Sequence, residues 1–198
     1  MKLRTCRGYI LSLVLCGIAF GQITSGDKEV TVRDLSPVKA RSSDALDVLK
    51  ASLEMVLRDQ SVCCGRDSAL EDTLDKVDPH SLQDVASKIQ GRHLLSDGRP
   101  IKVSVEYLSP EQVNAGHMML MLGANHAAVM TWDSHFYVID GMTYVESADS
   151  DGNITYVVHK FSLQDPRYSD SRRKVTFDRT VQDASKIQGI LFAQSATE

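Results

Sequence analysis

The feature that most constrains this chain is a pair of apolar runs, Ala127-Ala128-Val129-Met130 and Phe136-Tyr137-Val138-Ile139. Four apolar residues in succession leave neither face of a strand for water, so each run suits a strand covered on both sides. Thr131-Trp132-Asp133-Ser134-His135 lies between them and carries turn residues. The pair predicts a β-hairpin at the centre of a sheet. With 198 residues there is room for one domain with a sizeable core. A composition 42% hydrophobic and 24% charged, with 12 Gly and 5 Pro, excludes a collagen, a coiled-coil rod and a wholly disordered chain.

Helical patterns precede the hairpin. Leu46, Leu49, Leu53 and Val56/Leu57 recur at spacings of three and four, predicting a helix from Ser43, with Ser43 as its N-cap, to Asp59-Gln60. A second helix is expected from near Asp67, with Leu70, Leu74 and Val77 inward and Asp78-Pro79 as its stop. Ser81-Leu82-Gln83-Asp84 reads as a capping box opening a short helix that stops at Gly91. Ile101, Val103, Val105 and Tyr107 alternate with polar residues, which marks a half-buried strand. Ser109-Pro110 begins a further helix that Gly123 closes. After the hairpin, a second one is expected across Asp149–Asn153, and Lys174–Phe177 and Ile187–Phe192 supply the last strands. Helices come first and antiparallel strands second. The expected fold class is α+β, with N-terminal helices packed on a C-terminal antiparallel sheet in one domain over residues 42–198.

The N-terminus has a separate meaning. Lys2, Arg4 and Arg7 precede an apolar run from Ile10 to Phe20, and Ala19-Phe20-Gly21 offers small residues where a signal peptidase cuts. Residues 1–21 read as a signal peptide, giving an exported, periplasmic or extracellular protein with no integral membrane segment after cleavage. Residues 22–41, polar and without sustained period, read as a flexible leader. Cleavage removes three cations and no anion, so the formal charge of -4 becomes -7. No basic field draws the chain to phosphate, and nucleic acid is not an expected partner. Cys6 and Cys16 also leave, so Cys63 and Cys64 are an adjacent pair and not a disulfide framework.

Those two cysteines stand just ahead of a helix, where unpaired backbone N–H groups lower a thiol's pKa. A thiolate there needs a base. If the central hairpin turns about Asp133, opposing residue numbers sum to 266 and His126 faces Asp140, with Cβ atoms about 5 Å apart. A two-residue turn at Asp133-Ser134 opposes His126 to Gly141 instead, and the sequence leaves both registers open. In the first, the carboxylate orients an imidazole that serves the thiol, and Gln60 adds a donor for an oxyanion.

The order Gln60 … Cys64-Gly65 … Ala69-Leu70 … His126-Ala127-Ala128-Val129 … Tyr137-Val138-Ile139-Asp140 resembles the papain-like cysteine peptidases, most of all the bacterial branch related to the double-glycine leader peptidases. The resemblance covers about residues 55–142. It implies a papain-like architecture, Cys64 as nucleophile, His126 as base, Asp140 as orienting acid and Gln60 as oxyanion donor. It requires no cofactor and no metal, and it implies a peptide or protein as substrate or ligand. Gln60 stands closer to the cysteine than the family places it, and Arg66-Asp67 replaces small apolar residues. Three functions stay open: an exported thiol-dependent peptide or amide hydrolase, a non-catalytic peptide-binding module on the same fold, or a purely structural envelope protein without a cleft.

Plainer readings accompany each motif. Cys63 and Cys64 also suit buried hydrophobes or a vicinal disulfide, His126 a satisfied core histidine, and Asp140 a turn residue. His117 with Met118, Met119 and Met121 carries soft copper ligands but reads first as a Met-rich core face. Asp149, Asp151 and Asn153 begin like a calcium loop and lack its closing Glu, so a polar turn explains them better. Asn153-Ile154-Thr155 is a glycosylation sequon in a host that glycosylates. Arg172-Arg173-Lys174 reads as a solvated charge run, and His135 as an exposed tip.

Overall fold

A computed structural model of the chain describes residues 23–24, 26–58, 68–94, 98–168, 172–176 and 186–197. The described elements run β1 (Ile23–Thr24), β2 (Lys28–Thr31), α1 (Ala45–Arg58), α2 (Ser68–Leu74), α3 (Leu82–Ile89), β3 (Gly91–Leu94) and β4 (Pro100–Leu108). A 3₁₀ turn (Pro110–Gln112), α4 (Ala115–Gly123), β5 (Ala128–Trp132), β6 (His135–Ala148), β7 (Ile154–Gln164), β8 (Arg172–Thr176) and β9 (Ile187–Thr197) follow. The fold is α+β: helices together with one antiparallel sheet ordered β3-β4-β9-β5-β6-β7-β8. No described helix is long and apolar enough to cross a membrane.

The apolar hairpin lies where its composition demands. β5 sits between β9 and β6 in the middle of the order, and Ala128, Val129 and Met130 are all fully buried. Ile101 and Val103 of β4 are buried while Lys102, Ser104 and Glu106 are exposed, so this strand is wet on one face only. α3 packs against β4 and β9, α1 against β5, β6 and β9, and α2 touches both helices. α4 packs against β2, β6 and β7. Its His117 hydrogen-bonds Glu106 at 3.1 Å and sets its ring edge-on to Phe192, so α4 lies on the Glu106 face.

Local chemistry explains several boundaries. Ser81 Oγ accepts from the Asp84 N–H at 3.1 Å, the expected cap of α3. At α1 the cap is Asp44 rather than Ser43: its Oδ1 accepts from Leu46 N–H at 2.9 Å and its carbonyl from Val48 N–H at 3.0 Å. The helix expected from Ser109 is broken in two. Gln112 closes the first turn on the Ser109 N–H, and Asn114 Oδ1 caps a fresh helix at Gly116 and His117. The Asp149 carboxylate binds the N–H groups of Asp151 and Asn153 and the Asn153 amide, forming the polar turn between β6 and β7.

The largest correction falls on residues 22–41, expected to be a flexible leader. Lys28–Thr31 pair with Tyr144–Gly141 of β6 as strand β2, and Val32, Leu35 and Ala40 are buried. Strand β6 is long enough to take β5 along its first half and β2 along its second, on the same edge. Lys28 also forms an ion pair with Glu146. Helical and strand periodicity cannot find such a segment, because β2 has only four residues and one of them, Val30, is apolar. The sheet therefore begins before the helices. Residues 1–21, expected to be a signal peptide, lie outside the described residues.

Candidate active site

His126 is positioned by the end of α4. Ala124 closes the helix, Asn125 adopts φ +70°, and the N–H groups of Asn125 and His126 return to the carbonyls of Leu122 and Met121, both at 3.0 Å. That pair of bonds with one left-handed residue is a Schellman ending, which Asn tolerates. It sets His126 half-buried immediately before β5. Burial pushes the imidazole below its ordinary value of 6.5.

Asp140 is positioned by an irregularity in β6. Ile139 pairs with Leu163 and Gly141 with Ser162, so Asp140 is an extra residue between two ladder positions. Such a bulge re-aims a side chain. Here the Asp140 carboxylate reaches Gln164, the residue opposite Val138, and Gln164 Nε2 donates to Oδ2 at 3.0 Å. Asp140 is 0% exposed and Gln164 6%. A carboxylate so enclosed needs donors, because burial without hydrogen bonds is costly. The expectation of a mere turn residue does not describe it.

The register between the two differs from the one that opposes them. Asp133 and Ser134 have φ +51° and +62°, and Trp132 pairs with His135. This is the two-residue turn, with both central residues left-handed as a primed turn requires. Ala128 then pairs with Ile139, and continuing the ladder would bring His126 to Gly141. Thr31 of β2 already holds that place. β5 therefore leaves β6 at the Ala128–Ile139 pair, short of His126, and direct opposition of His126 to Asp140 is corrected.

A strap still links the two. The Val32 N–H donates to the Asp140 carbonyl at 2.7 Å, and the next N–H, that of Arg33, donates to Asn125 Oδ1 at 2.7 Å. Asp140 and Asn125, the residue before His126, are thus tied to consecutive positions of one segment. Gly141 permits the approach: a Cβ there would meet the Val30 carbonyl at 2.8 Å. Gln60, Cys63 and Cys64 lie outside the described residues, between the end of α1 at Arg58 and the start of α2 at Ser68. The structure ties Asp140 and the turn that carries His126 to one strap and does not describe the thiol.

No family model, no curated protein and no solved structure matches this chain.

Sequence reasoning missed Gln164 and the strap. The Asn-His step after Gly123 held a usable signal, since Asn is the non-glycine residue best suited to a left-handed helix ending. Gln164 had none, because its role depends on the bulge. A second polar cluster, also unread, closes β7. Arg167 Nε and Nη2 donate to Asp165 at 2.9 and 2.6 Å, and Nη2 reaches the Tyr137 hydroxyl at 3.4 Å. The guanidinium stands 5.9 Å from the ring centres of Tyr137 and Tyr168. Hydrogen bonds to Asp165 raise the Arg167 pKa further. The cluster anchors the chain where Ala40 N–H meets the Pro166 carbonyl at 2.8 Å. Among the described residues no group of three His, Cys, Asp or Glu could hold a metal ion.

Proposed function

We propose that this chain is an exported, papain-like domain that hydrolyses a peptide or amide bond through Cys64. The observation that carries the reading is Asp140, a fully buried carboxylate in a central-strand bulge, tied by one strap to the turn that holds His126. An imidazole able to take the thiol proton suits a general base, and the thiolate–imidazolium pair that it forms is the species that alkylates below the free thiol pKa. In the proposed reaction His126 takes the Cys64 proton and the thiolate attacks the carbonyl carbon, while Gln60 and backbone N–H groups hold the oxyanion. His126 then gives the proton to the leaving amine. Water, deprotonated by the same ring, releases the acid and restores the thiol. Asp140 fixes the orientation of the imidazole through the cycle. The substrate is an extended peptide, and the chemistry requires no cofactor.

A second reading rests on a specific observation. Ala128 pairs with Ile139, so the strand register does not oppose His126 to Asp140. That arrangement favours a non-catalytic peptide-binding module on the same fold. Iodoacetamide labelling of mature protein from pH 4 to 9, with the modified residue located by mass, separates the two. The hydrolase predicts fast labelling of Cys64 well below the free thiol pKa of about 8.5, lost in His126→Ala. It also predicts a folded, inactive Cys64→Ala. Labelling that ignores His126 sinks the enzyme and leaves the binding module.

A further inference from the structure

We infer that Gln164 is a positioning residue for this site, acting through Asp140; the inference rests on the hydrolase reading. A buried carboxylate can orient an imidazole only if it is itself held, and an outer hydrogen-bond partner commonly does that work. Gln164 supplies the bond from a neighbouring strand. Its amide Nε2 lies 3.0 Å from Asp140 Oδ2, and its own side chain is 6% exposed. The contact depends on the bulge. Gln164 pairs with Val138, two residues before Asp140, and the extra residue in β6 lets the carboxylate reach back to it.

The geometry also says why an amide stands there. One Asp140 oxygen takes the Gln164 donor, while the backbone carbonyl of the same residue takes the Val32 N–H of the strap that leads to Asn125 and His126. Asp140 is thus fixed from β7 through its side chain and from the strap through its main chain. The imidazole would meet a carboxylate with little freedom to turn. A glutamate at 164 would repel Asp140, and an apolar residue would leave its oxygen without that donor.

The test is the pH profile of Cys64 alkylation in Gln164→Met, which keeps the side-chain volume and removes the donor. Each unit by which the thiol pKa rises lowers its thiolate fraction tenfold below that pKa. The expected result is alkylation about tenfold slower than wild type near pH 6, with the two rates converging near pH 9, where both thiols are largely ionised. Gln164→Asn keeps an amide but withdraws it by one methylene. It is expected to show the same loss, and it decides the matter if the Met variant does not fold. Folded variants whose profile superimposes on wild type, whatever their melting temperature, overturn the inference. The wild type and His126→Ala pair separates the two failures. If His126→Ala moves the profile and the Gln164 variants do not, the hydrolase reading stands and Gln164 only fills space. If His126→Ala moves nothing, the hydrolase reading falls and the role of Gln164 falls with it.

Discussion

Gly141→Ala tests the feature that separates the structure from the sequence expectation, the docking of β2 against β6. A Cβ at Gly141 would stand 2.8 Å from the Val30 carbonyl oxygen, 3.3 Å from Thr31 Oγ1 and 3.4 Å from Thr31 Cα. The nearest of these is backbone in a paired strand, so it cannot swing aside as a side chain would. Forcing an extra methyl into a close-packed site costs about 1–3 kcal/mol. Replacing glycine within a strand returns about 0.5–1 kcal/mol through the restricted unfolded chain. The net expectation is a loss of about 1–2 kcal/mol, which for a chain of this size lowers the melting temperature by about 2–8 °C. Without β2 the sign reverses, because only the entropic gain remains. Urea unfolding gives the free-energy change from the midpoint, with an unchanged slope confirming that the unfolded state is the same. Hydrogen exchange gives the location, since the Val32 amide bonds the Asp140 carbonyl at 2.7 Å and should lose protection in the variant. A Gly141→Ala protein as stable as wild type, or more so, with Val32 exchanging at the wild-type rate, would falsify the docking of β2.

Three further outcomes are expected. Ser134→Gly should stabilise by up to about 1 kcal/mol, since Ser134 holds φ +62° in the hairpin turn, and a thermal melt that falls instead would contradict that turn. Arg167→Met leaves Asp165, whose side chain is 0% exposed, without its guanidinium. Removing one partner of a buried pair costs about 3–5 kcal/mol, and with Arg167 23% exposed the expected loss is about 2–3, read from denaturant midpoints and recovered in part by a second change, Asp165→Asn. His126 gives the fold a pH dependence of definite sign. Its folded pKa lies below 6.5, so the unfolded chain binds the proton more readily in the interval beneath that value. Its contribution to stability is complete above about pH 6.5 and declines as the pH falls toward the folded pKa. His126→Gln should flatten that slope in midpoints measured from pH 5 to 7.5, and an unchanged slope would assign the titration elsewhere.

Much of this protein is legible in its sequence because the relevant forces are local. The two apolar runs place β5 and β6 inside the sheet, since residues that expose no polar face to water must be covered on both sides. Alternation marks β4, Ser81 caps α3 with a bond to its own third residue, and Asp149 builds its own turn. Each is decided within a few residues, where spacing and side-chain chemistry act directly. The pairing of helices with an antiparallel sheet follows from the same patterns.

The tertiary structure decided what those patterns leave open. The sequence admits two hairpin registers; the left-handed Asp133 and Ser134 select one of them, and the site geometry follows from that choice. Strand β2, four residues with little apolar character, exists because the second half of β6 offers an edge of unpaired backbone groups for it. Its arrival fills the position beside Gly141 that His126 would otherwise approach. The Asp140 bulge, its bond from Gln164 and the Asp165–Arg167 pair are likewise products of strands meeting. A carboxylate's partner on another strand is fixed by register, and register is a property of the assembled sheet. Sequence alone thus placed His126 and Asp140 among the residues to watch, while the fold determined which neighbours hold each of them.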